Sequence, residues 1–177
     1  MANKIKLVIW DLDNTLWRGT LAEGDEPSLF PGRAELIKNL TSIGIVNSIC
    51  SKNDFEDAKE VLSQMGLWDY FVFPKISFAP KGQTVQTILD EMHLRAANTV
   101  FIDDEISNLQ EVLFYNPEIT VLNQADCEKF FSELQIAANV DSDHSRLEQY
   151  KQLERKQQEK KSFSSNEEFF IAKFFVL

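Results

Sequence analysis

The sequence predicts an α/β protein with a Rossmann-like, three-layer fold, in which a five-stranded, mainly parallel sheet lies between two layers of helices. Short apolar runs rich in Val, Ile and Phe alternate along the chain with longer amphipathic stretches. This alternation is typical of a parallel sheet whose successive strands are connected by helices. The chain has 177 residues, of which 44% are hydrophobic. That composition allows one packed domain and excludes global disorder.

Five apolar runs are predicted to form the strands of the sheet. They show little alternation with polar residues, as expected for strands that are buried on both faces. The runs are 6–10 (KLVIW), 45–50 (IVNSIC), 71–73 (FVF), 99–102 (TVFI) and 119–122 (ITVL).

Four intervening stretches have the apolar spacing of amphipathic helices, at 32–44, 54–66, 82–94 and 107–115. Pro31 before the first stretch is a typical helix start signal, and Gly44 and Gly66 after the first two are typical stop signals.

A change in composition divides the chain into a predicted core at 1–140 and a C-terminal helical extension at 141–177. The segment 141–161 is highly charged, but its few apolar residues recur at helical spacing and predict one narrow face that packs on the core. These residues are Leu147, Tyr150 and Leu153. The final segment, 166–177, is strongly apolar. We expect it to pack on the domain rather than to be covered by a further part of a longer protein.

The charge and cysteine content restrict the class of protein. A formal net charge of -10 argues against nucleic-acid binding, which usually needs a basic surface. Cys50 and Cys127 are far apart and lack metal-ligand spacing, so we expect both to be reduced in a cytoplasmic protein. No apolar run approaches the ~20 residues of a membrane span, and the N-terminus reaches its first acidic residue too early for a signal peptide.

Reactive side chains occur just past the ends of four predicted strands. Each of them alone is more often a turn or helix-cap residue. Ligands of an open parallel sheet bind beyond the carboxyl ends of the strands, so their occurrence in chain order on successive elements predicts a single site. The residues are Asp11 and Asp13 after the first strand, Ser51 and Lys52 after the second, Lys81 after the third, and Asp103 and Asp104 after the fourth.

The carboxylates predict a magnesium site. Clustered carboxylates raise one another's pKa, so a site that holds several of them needs a cation. Oxygen ligands without His or Cys favour Mg²⁺, which binds through a few carboxylates and a substrate phosphate. The predicted ligands are Asp11, Asp13 through its backbone carbonyl, Asp103 and Asp104. Asn108, one helical turn past Asp104, is predicted to orient these carboxylates, unless it is an exposed residue at the start of a helix.

The same residues suit phosphoryl transfer. A carboxylate can attack phosphorus and form an aspartyl-phosphate. Asp11 directly follows the strand and is the predicted nucleophile, and Asp13 is the predicted general acid and base.

Other polar residues are predicted to bind the phosphate. Ser51 offers a hydrogen-bond donor and Lys81 a positive charge for the phosphoryl oxygens. Lys81 is also expected to neutralise Asp11. Lys52 and Thr15 are further candidates, and Thr15 is also expected to stabilise the turn between Asp11 and the segment that follows it.

These motifs resemble those of the haloacid dehalogenase (HAD) superfamily over about residues 5–125. "DLDNTLW" is similar to its first motif, "ICSKND" to its second, Lys81 to its third and "VFIDDE" to its fourth. The resemblance implies a Rossmann-like fold, Mg²⁺, Asp11 as nucleophile and Asp13 as general acid and base.

Within that superfamily, the chain resembles the IIIC subgroup with FkbH-like domains. The shared features are "DLDNTLWRGTLAE", "SKND" and the charged tail. The chain departs from that pattern in two places. Arg18-Gly19 replaces a Gly-Gly pair, and "DDEISNLQEV" brings Glu105 and Asn108 into the fourth motif. These departures affect the expected substrate rather than the metal site.

The spacing of the motifs predicts an open site. Asp13 to Ser51 leaves room for a turn, a short flap at about 18–30 and one helix, and Ser51 to Lys81 for a helix and a strand. Neither gap holds a cap domain, so the site should be open. An open site suits a phosphate on a bulky substrate, such as a protein or a carrier-bound group, and it also suits loose substrate specificity. Candidate rim residues are Trp17, Arg18, Phe30 and Trp68. Core or flap packing is the favoured interpretation of Trp68, and for Trp17 it is as well supported as a position at the rim.

Three functions are therefore compatible with the sequence. The first is a Mg²⁺-dependent phosphohydrolase. The second, implied by the FkbH-like resemblance, is a transferase that dephosphorylates an activated three-carbon acid and passes its acyl group to a carrier-protein thiol. The third is a catalytically silent binding domain, against which the complete set Asp11, Asp13, Lys81 and Asp104 argues. A thiol of this chain is not expected to take part, because Cys50 is predicted to be buried in its strand.

Overall fold

The computed structural model describes residues 4–134, 140–162 and 173. The strands in these residues are β1 (Leu7–Trp10), β2 (Trp17–Arg18), β3 (Ser28–Leu29), β4 (Val46–Ser51), β5 (Lys75–Ile76), β6 (Thr99–Asp103) and β7 (Thr120–Asn123). The α-helices are α1 (Arg33–Ser42), α2 (Phe55–Gln64), α3 (Lys81–Met92), α4 (Ile106–Tyr115), α5 (Cys127–Glu133) and α6 (Ser145–Lys161).

Five strands form one parallel sheet in the order β5-β4-β1-β6-β7. β2 and β3 form a separate antiparallel hairpin. The helices α1, α2 and α5 pack on one face of the sheet, and α3, α4 and α6 pack on the other. The predicted three-layer α/β fold with a five-stranded sheet is confirmed, and the described residues contain no large cap domain.

β1 lies at the centre of the sheet and is buried on both sides. Val8 and Trp10 belong to the apolar cluster on one face, and Leu7 and Ile9 belong to the cluster on the other. All four side chains are 0% exposed. Because both faces are covered, the strand needs apolar residues at every position, which explains the absence of polar alternation in its sequence.

The register of β1 brings the first acidic residue to the carboxyl edge of the sheet. Trp10 is level with Ile49 in β4 and with Ile102 in β6. The next residue, Asp11, donates its backbone N–H to the carbonyl oxygen of Ile102 at 3.0 Å. Asp11 therefore lies beside Asp103, the last residue of β6.

The turn after β1 depends on Asn14. Its φ of 56° lies in the left-handed region, which asparagine tolerates better than most residues. The Asn14 side-chain oxygen also accepts a hydrogen bond from the backbone N–H of Gly19 at 3.0 Å. These features reverse the chain and direct it into the β2–β3 hairpin, which corresponds to the predicted flap.

Of the strand predicted at 71–73, only an isolated parallel bridge between Phe71 and Asn47 of β4 is present, and the edge strand β5 begins two residues after Phe73. Phe73 has a φ of 50°, which breaks the extended conformation. Its backbone N–H donates to Glu154 Oε2 at 2.6 Å, and the carbonyl of Phe71 accepts from Lys151 Nζ at 2.7 Å. Side chains of α6 therefore satisfy backbone groups that a neighbouring strand would otherwise pair. The other four strands and the four predicted helices are confirmed, with ends that differ by a few residues.

The helix α6 packs on the core through Leu147, Tyr150 and Leu153, as their spacing predicts. Lys161 at its end pairs with Glu91 of α3 at 2.8 Å. Most of the apolar segment 166–177 lies outside the described residues, so its predicted packing stays a prediction. None of the helices in the described ranges combines the length and apolarity needed to cross a membrane.

The start of α3 is positioned by contacts with α4. The backbone N–H of Gly82 donates to Glu111 Oε2 at 2.7 Å, and Asn116 Nδ2 donates to the carbonyl of Gly82 at 3.2 Å. A Cβ atom at position 82 would collide with the ring of Tyr115 and approach the Glu111 carbonyl oxygen to 2.9 Å. This close contact between the two helices places Lys81, the first residue of α3, at the sheet edge.

We predict that Gly82→Ala destabilises the protein by about 1–3 kcal/mol, because the added methyl group overpacks the α3–α4 contact. Activity should fall as well, since Lys81 moves with the start of the helix. Urea unfolding measures the first effect. Gln83→Ala, at the next and exposed position, is the matched control and should change stability by less than about 0.5 kcal/mol. Equal stability of the two variants would contradict this account of the packing.

Candidate active site

Three adjacent strands bring polar side chains to one edge of the sheet. Asp11 follows the central β1, Ser51 ends β4 on one side, and Asp103 ends β6 on the other. All three residues are buried. Lys81 reaches the same edge from the start of α3, and Asp104 follows β6 directly. The parallel topology therefore collects most of the predicted site residues at one place.

Lys81 bridges two buried carboxylates. Its Nζ lies 2.8 Å from Asp11 Oδ1 and 2.6 Å from Asp103 Oδ2. Burial alone lowers the pKa of a lysine, but the charges of Asp11 and Asp103 outweigh this effect and raise the pKa of Lys81. The ammonium group is therefore held in its charged form between the two carboxylates.

Burial raises the pKa of Asp11, and the charge of Asp103 adds to this effect, whereas Lys81 opposes it. Thr15 Oγ1 donates to Asp11 Oδ2 at 2.9 Å. Each Asp11 oxygen therefore has one hydrogen-bond donor, and the carboxylate is held in one orientation.

Asp11, Asp103 and Asp104 form a group that fits a divalent cation. One carboxylate oxygen from each lies within 4.8 Å of the others. Three carboxylates and the single ammonium of Lys81 leave two negative charges without a partner. Oxygen-only ligands with this excess charge suit Mg²⁺, which prefers carboxylates and retains water ligands. These three are therefore the residues of this chain that would hold Mg²⁺.

The two acidic residues after β6 have different environments. Asp103 is fully buried, and its Oδ1 accepts hydrogen bonds from the backbone N–H of Glu105 at 2.9 Å and from Asn108 Nδ2 at 3.3 Å. Asn108 therefore contacts Asp103, and its supporting role in the site stays a prediction. Asp104 is only half-buried. Burial and the nearby charge of Asp11 raise its pKa to about 7.

Asp13 lies apart from the three-carboxylate group and faces a different set of partners. Its Oδ1 accepts hydrogen bonds from Trp17 Nε1 at 3.0 Å and from the backbone N–H of Leu21 at 3.1 Å. Its Oδ2 accepts from Asn53 Nδ2 at 3.0 Å. The side chain of Asp13 is therefore held away from the carboxylate group, which leaves its backbone carbonyl as the atom predicted to bind the metal.

The predicted phosphate-binding residues occupy different positions. Ser51 is buried at the end of β4, and Lys81 lies in the bridge to Asp11 and Asp103. Lys52 is exposed, immediately after β4. Thr15 is fully buried, and its hydroxyl lies 2.9 Å from Asp11 Oδ2 and 3.3 Å from Asp104 Oδ1. The contacts of Thr15 are thus with carboxylates, and its predicted roles in phosphate binding and in stabilising the turn stay predictions.

The predicted rim residues occupy different environments, and burial decides between the two interpretations of Trp17. Trp17 is 0% exposed, so it belongs to the core and not to the rim. Its indole ring packs in the apolar cluster while its N–H donates to Asp13. Arg18 is exposed, with its guanidinium 5.2 Å from the ring centre of Phe30. Trp68 packs against the core, as favoured from the sequence.

Sequence reasoning missed two residues that shape the site. Asn53 is buried and links Asp13 to Ser51, with its Nδ2 also 3.1 Å from Ser51 Oγ. Arg33 is buried, and its guanidinium donates to the carbonyls of Thr15 at 3.2 Å and Gln124 at 3.1 Å. The position of Asn53 two residues after Ser51 was a usable signal. Arg33 follows a helix start signal and gave no indication of these long-range contacts.

Both cysteines are buried in apolar surroundings. Burial raises the pKa of Cys50 to about 12 and that of Cys127 to about 11. Cys50 packs in the cluster with Leu7 and Ile9. Neither thiol is therefore available as a nucleophile, because the reactive form of cysteine is the thiolate.

Comparisons with known proteins agree with this geometry. No family model matches the chain. The human protein named magnesium-dependent phosphatase 1 is 28% identical over 131 residues, which cover 63% of this chain and 74% of the human protein.

Two solved structures share the fold. One is the N-terminal part of a Bacteroides fragilis protein that contains a phosphatase domain, complexed with Mg. Its TM-score is 0.66 and its sequence identity to this chain is 25%. The match covers 76% of this chain, which spans 41% of the length of that structure. The other is a HAD-superfamily hydrolase from Ehrlichia chaffeensis, with a TM-score of 0.56, 16% identity, and coverage of 75% of this chain and 98% of that one. The chain therefore has the fold of the haloacid dehalogenase superfamily, and a magnesium-dependent phosphatase is among the proteins that it is similar to.

Proposed function

We propose that the chain is a Mg²⁺-dependent phosphohydrolase that acts on phosphate esters through an aspartyl-phosphate intermediate on Asp11. The observation that carries this proposal is the position of Asp11. It lies at the centre of the sheet edge, held by Lys81 and Thr15, with Asp103 and Asp104 close enough to share one cation with it. The similarity to a magnesium-dependent phosphatase supports the same assignment.

In the first step, an oxygen of Asp11 attacks the phosphorus atom of the substrate. A P–O bond to Asp11 forms, and the P–O bond to the leaving group breaks. Asp13 donates a proton to the departing oxygen, which allows an alcohol to leave in its neutral form. The separation of Asp13 from the carboxylate group suits this division of roles, because one carboxylate contacts phosphorus and the other contacts the leaving group.

In the second step, Asp13 takes a proton from a water molecule that attacks the phosphorus atom of the intermediate. The P–O bond to Asp11 then breaks, and inorganic phosphate is released while the Asp11 carboxylate is restored. The same residue acts as acid and then as base, so both residues return to their starting protonation states.

The remaining residues balance charge around the phosphoryl group. Bound at Asp11, Asp103 and Asp104, Mg²⁺ would supply positive charge that offsets the phosphoryl oxygens. Lys81 keeps Asp11 and Asp103 in place, and Ser51 offers a hydrogen-bond donor to a phosphoryl oxygen. Interactions of this kind are most effective when the donors are already in position before the reaction.

The open architecture supports a bulky substrate. Between β1 and β4 the chain forms only the β2–β3 hairpin, a short 3₁₀ turn and α1, and none of these is a cap domain. A small substrate would leave the reacting atoms accessible to solvent, whereas a protein or carrier-bound phosphate would itself cover the site.

Membership of the FkbH-like group rests on the sequence motifs alone, and acyl transfer to a carrier protein is the corresponding alternative. Because both cysteines of this chain are buried, such a transfer would need a thiol of another protein. The hydrolase is the simpler proposal, since water is its acceptor.

We predict that the protein hydrolyses p-nitrophenyl phosphate in Mg²⁺, that EDTA abolishes this activity, and that added Mg²⁺ restores it. Asp11→Asn should lower kcat by at least about 10³-fold, because it removes the nucleophile. The matched control is Asp90→Asn, which removes an exposed carboxylate of α3 and should retain full activity. A native protein without Mg²⁺-dependent activity, or an Asp11→Asn variant as active as the control, would refute the proposal.

We also predict that Mg²⁺ binds more tightly as the pH rises towards 7, because Asp104 must lose a proton to bind the cation and its pKa is raised to about 7. In EDTA, where no cation is bound, the stability of the folded protein should change with pH in the opposite direction. The Asp104 carboxyl keeps its proton up to about pH 7 in the folded protein but loses it near pH 3.8 in the unfolded chain. The free energy of unfolding should therefore decrease as the pH rises from the lower to the higher of these values.

Mg²⁺ titration calorimetry and thermal unfolding in EDTA, each from pH 5.5 to 8.5, measure these two effects. Asp104→Asn, which has the same shape and no titrating group, should show a smaller pH dependence in both experiments. Mg²⁺ affinity that does not change between pH 5.5 and 7 would contradict the prediction.

A further inference from the structure

The Asp13 carboxylate is held by three donors from separate parts of the chain. Trp17 Nε1 in β2 and the backbone N–H of Leu21 donate to Oδ1 at 3.0 and 3.1 Å. Asn53, from the loop after β4, donates to Oδ2 at 3.0 Å. Both oxygens are therefore held, and rotation of the carboxylate would break at least one of these hydrogen bonds.

Asn53 makes a second contact that Trp17 does not make. Its Nδ2 also lies 3.1 Å from Ser51 Oγ, so the two amide hydrogens of one nitrogen serve two site residues. Asn53 is 2% exposed and Ser51 is 3% exposed. The opposite orientation of the amide would place its oxygen against the Asp13 carboxylate, which repels it. Electrostatics therefore determine which end of the amide faces Asp13.

The contact with Asn53 has a consequence for the Ser51 hydroxyl. A hydroxyl group has one hydrogen to donate and two lone pairs to accept with. When Ser51 Oγ accepts from Asn53, its own hydrogen is directed to another acceptor. At the carboxyl edge of the sheet, a phosphoryl oxygen bound next to Asp11 would be such an acceptor.

We propose that Asn53 and Trp17 are positioning residues of this site. Both hold the Asp13 carboxylate towards the leaving group, and Asn53 alone also orients the Ser51 hydroxyl towards the phosphoryl group. This inference rests on the proposed phosphohydrolase function. Proton transfer to the leaving group then depends on both residues, whereas binding of the phosphoryl group depends only on Asn53.

The leaving group distinguishes a positioning role from a structural one. p-Nitrophenolate is a weak base and leaves with little help from an acid, whereas an alkoxide must receive a proton as it departs. Misplacement of Asp13 should therefore slow the hydrolysis of an alkyl phosphate much more than that of p-nitrophenyl phosphate. A general loss of folded protein would slow both reactions equally.

The test compares Trp17→Phe and Asn53→Ala. Trp17→Phe keeps an aromatic ring in the core and removes the N–H donor together with part of the buried indole ring system. For each variant, kcat/KM is measured with p-nitrophenyl phosphate and with ethyl phosphate, and the inhibition constant of inorganic phosphate is measured as well. In both variants, kcat/KM for ethyl phosphate should fall at least about tenfold further than that for p-nitrophenyl phosphate. The inhibition constant should rise several-fold only in Asn53→Ala.

Asn98→Ala is the matched control. Asn98 is a buried asparagine that precedes β6, at the opposite edge of the sheet, and its Nδ2 donates to the carbonyl of Lys4 at 2.7 Å. This variant loses a comparable buried hydrogen bond but should keep the native ratio of the two kcat/KM values and the native inhibition constant. Thermal unfolding shows whether each variant is folded. Asn53→Leu, which has a similar volume but neither a donor nor a charge, replaces Asn53→Ala if that variant does not fold.

Equal losses for both substrates in folded Trp17→Phe and Asn53→Ala would overturn the inference. An equal rise of the phosphate inhibition constant in both variants would also overturn it, because the indole N–H of Trp17 donates to Asp13 and not to Ser51. These results are distinguishable from a failure of the proposed function. The proposed function is tested by the Mg²⁺-dependent activity of the native protein and by the loss of that activity in Asp11→Asn.

Discussion

The site depends on the double ion pair that Lys81 makes with Asp11 and Asp103. These side chains come from α3, the end of β1 and the end of β6, and all three are almost fully buried. Two carboxylates so close together would repel each other in a buried environment. The ammonium group offsets that repulsion, and breaking a buried pair of this type typically costs about 3–5 kcal/mol. The same ion pairs therefore position the reactive carboxylate and stabilise the folded domain.

The position of Lys81 is determined by packing away from the reacting atoms. α3 approaches α4 closely at Gly82, whose backbone binds Glu111 of α4 and Asn116, the residue that follows α4. On the other side of the site, Arg33 binds the carbonyls of Thr15 and Gln124 and so connects the turn after β1 to the turn after β7. The reactive groups are thus held by rigid elements, which is how a site keeps its donors in place before the substrate binds.

The site has two parts with different chemistry. The carboxylates of Asp11, Asp103 and Asp104 lie close together and suit a cation and a phosphoryl group. Asp13 is held separately by Trp17, Leu21 and Asn53 and suits proton transfer. Two carboxylates that are only two residues apart in sequence thus have different environments, because the left-handed turn at Asn14 directs the chain away from the sheet immediately after them.

The sequence by itself determined the fold class, four of the five strands, the open architecture and the candidates Asp11, Asp13, Ser51, Lys81, Asp103 and Asp104. These features depend on local periodicity and on the rule that parallel strands end at one edge of the sheet. Tertiary structure alone decided the start of the edge strand at Lys75, the burial of Trp17, and the roles of Asn53 and Arg33. The physical reason is that each of these features depends on contacts between segments distant in sequence. Side chains of α6 bind backbone groups of Phe71 and Phe73, and Trp17 packs in the apolar core. Asn53 contacts Asp13 from 40 residues away.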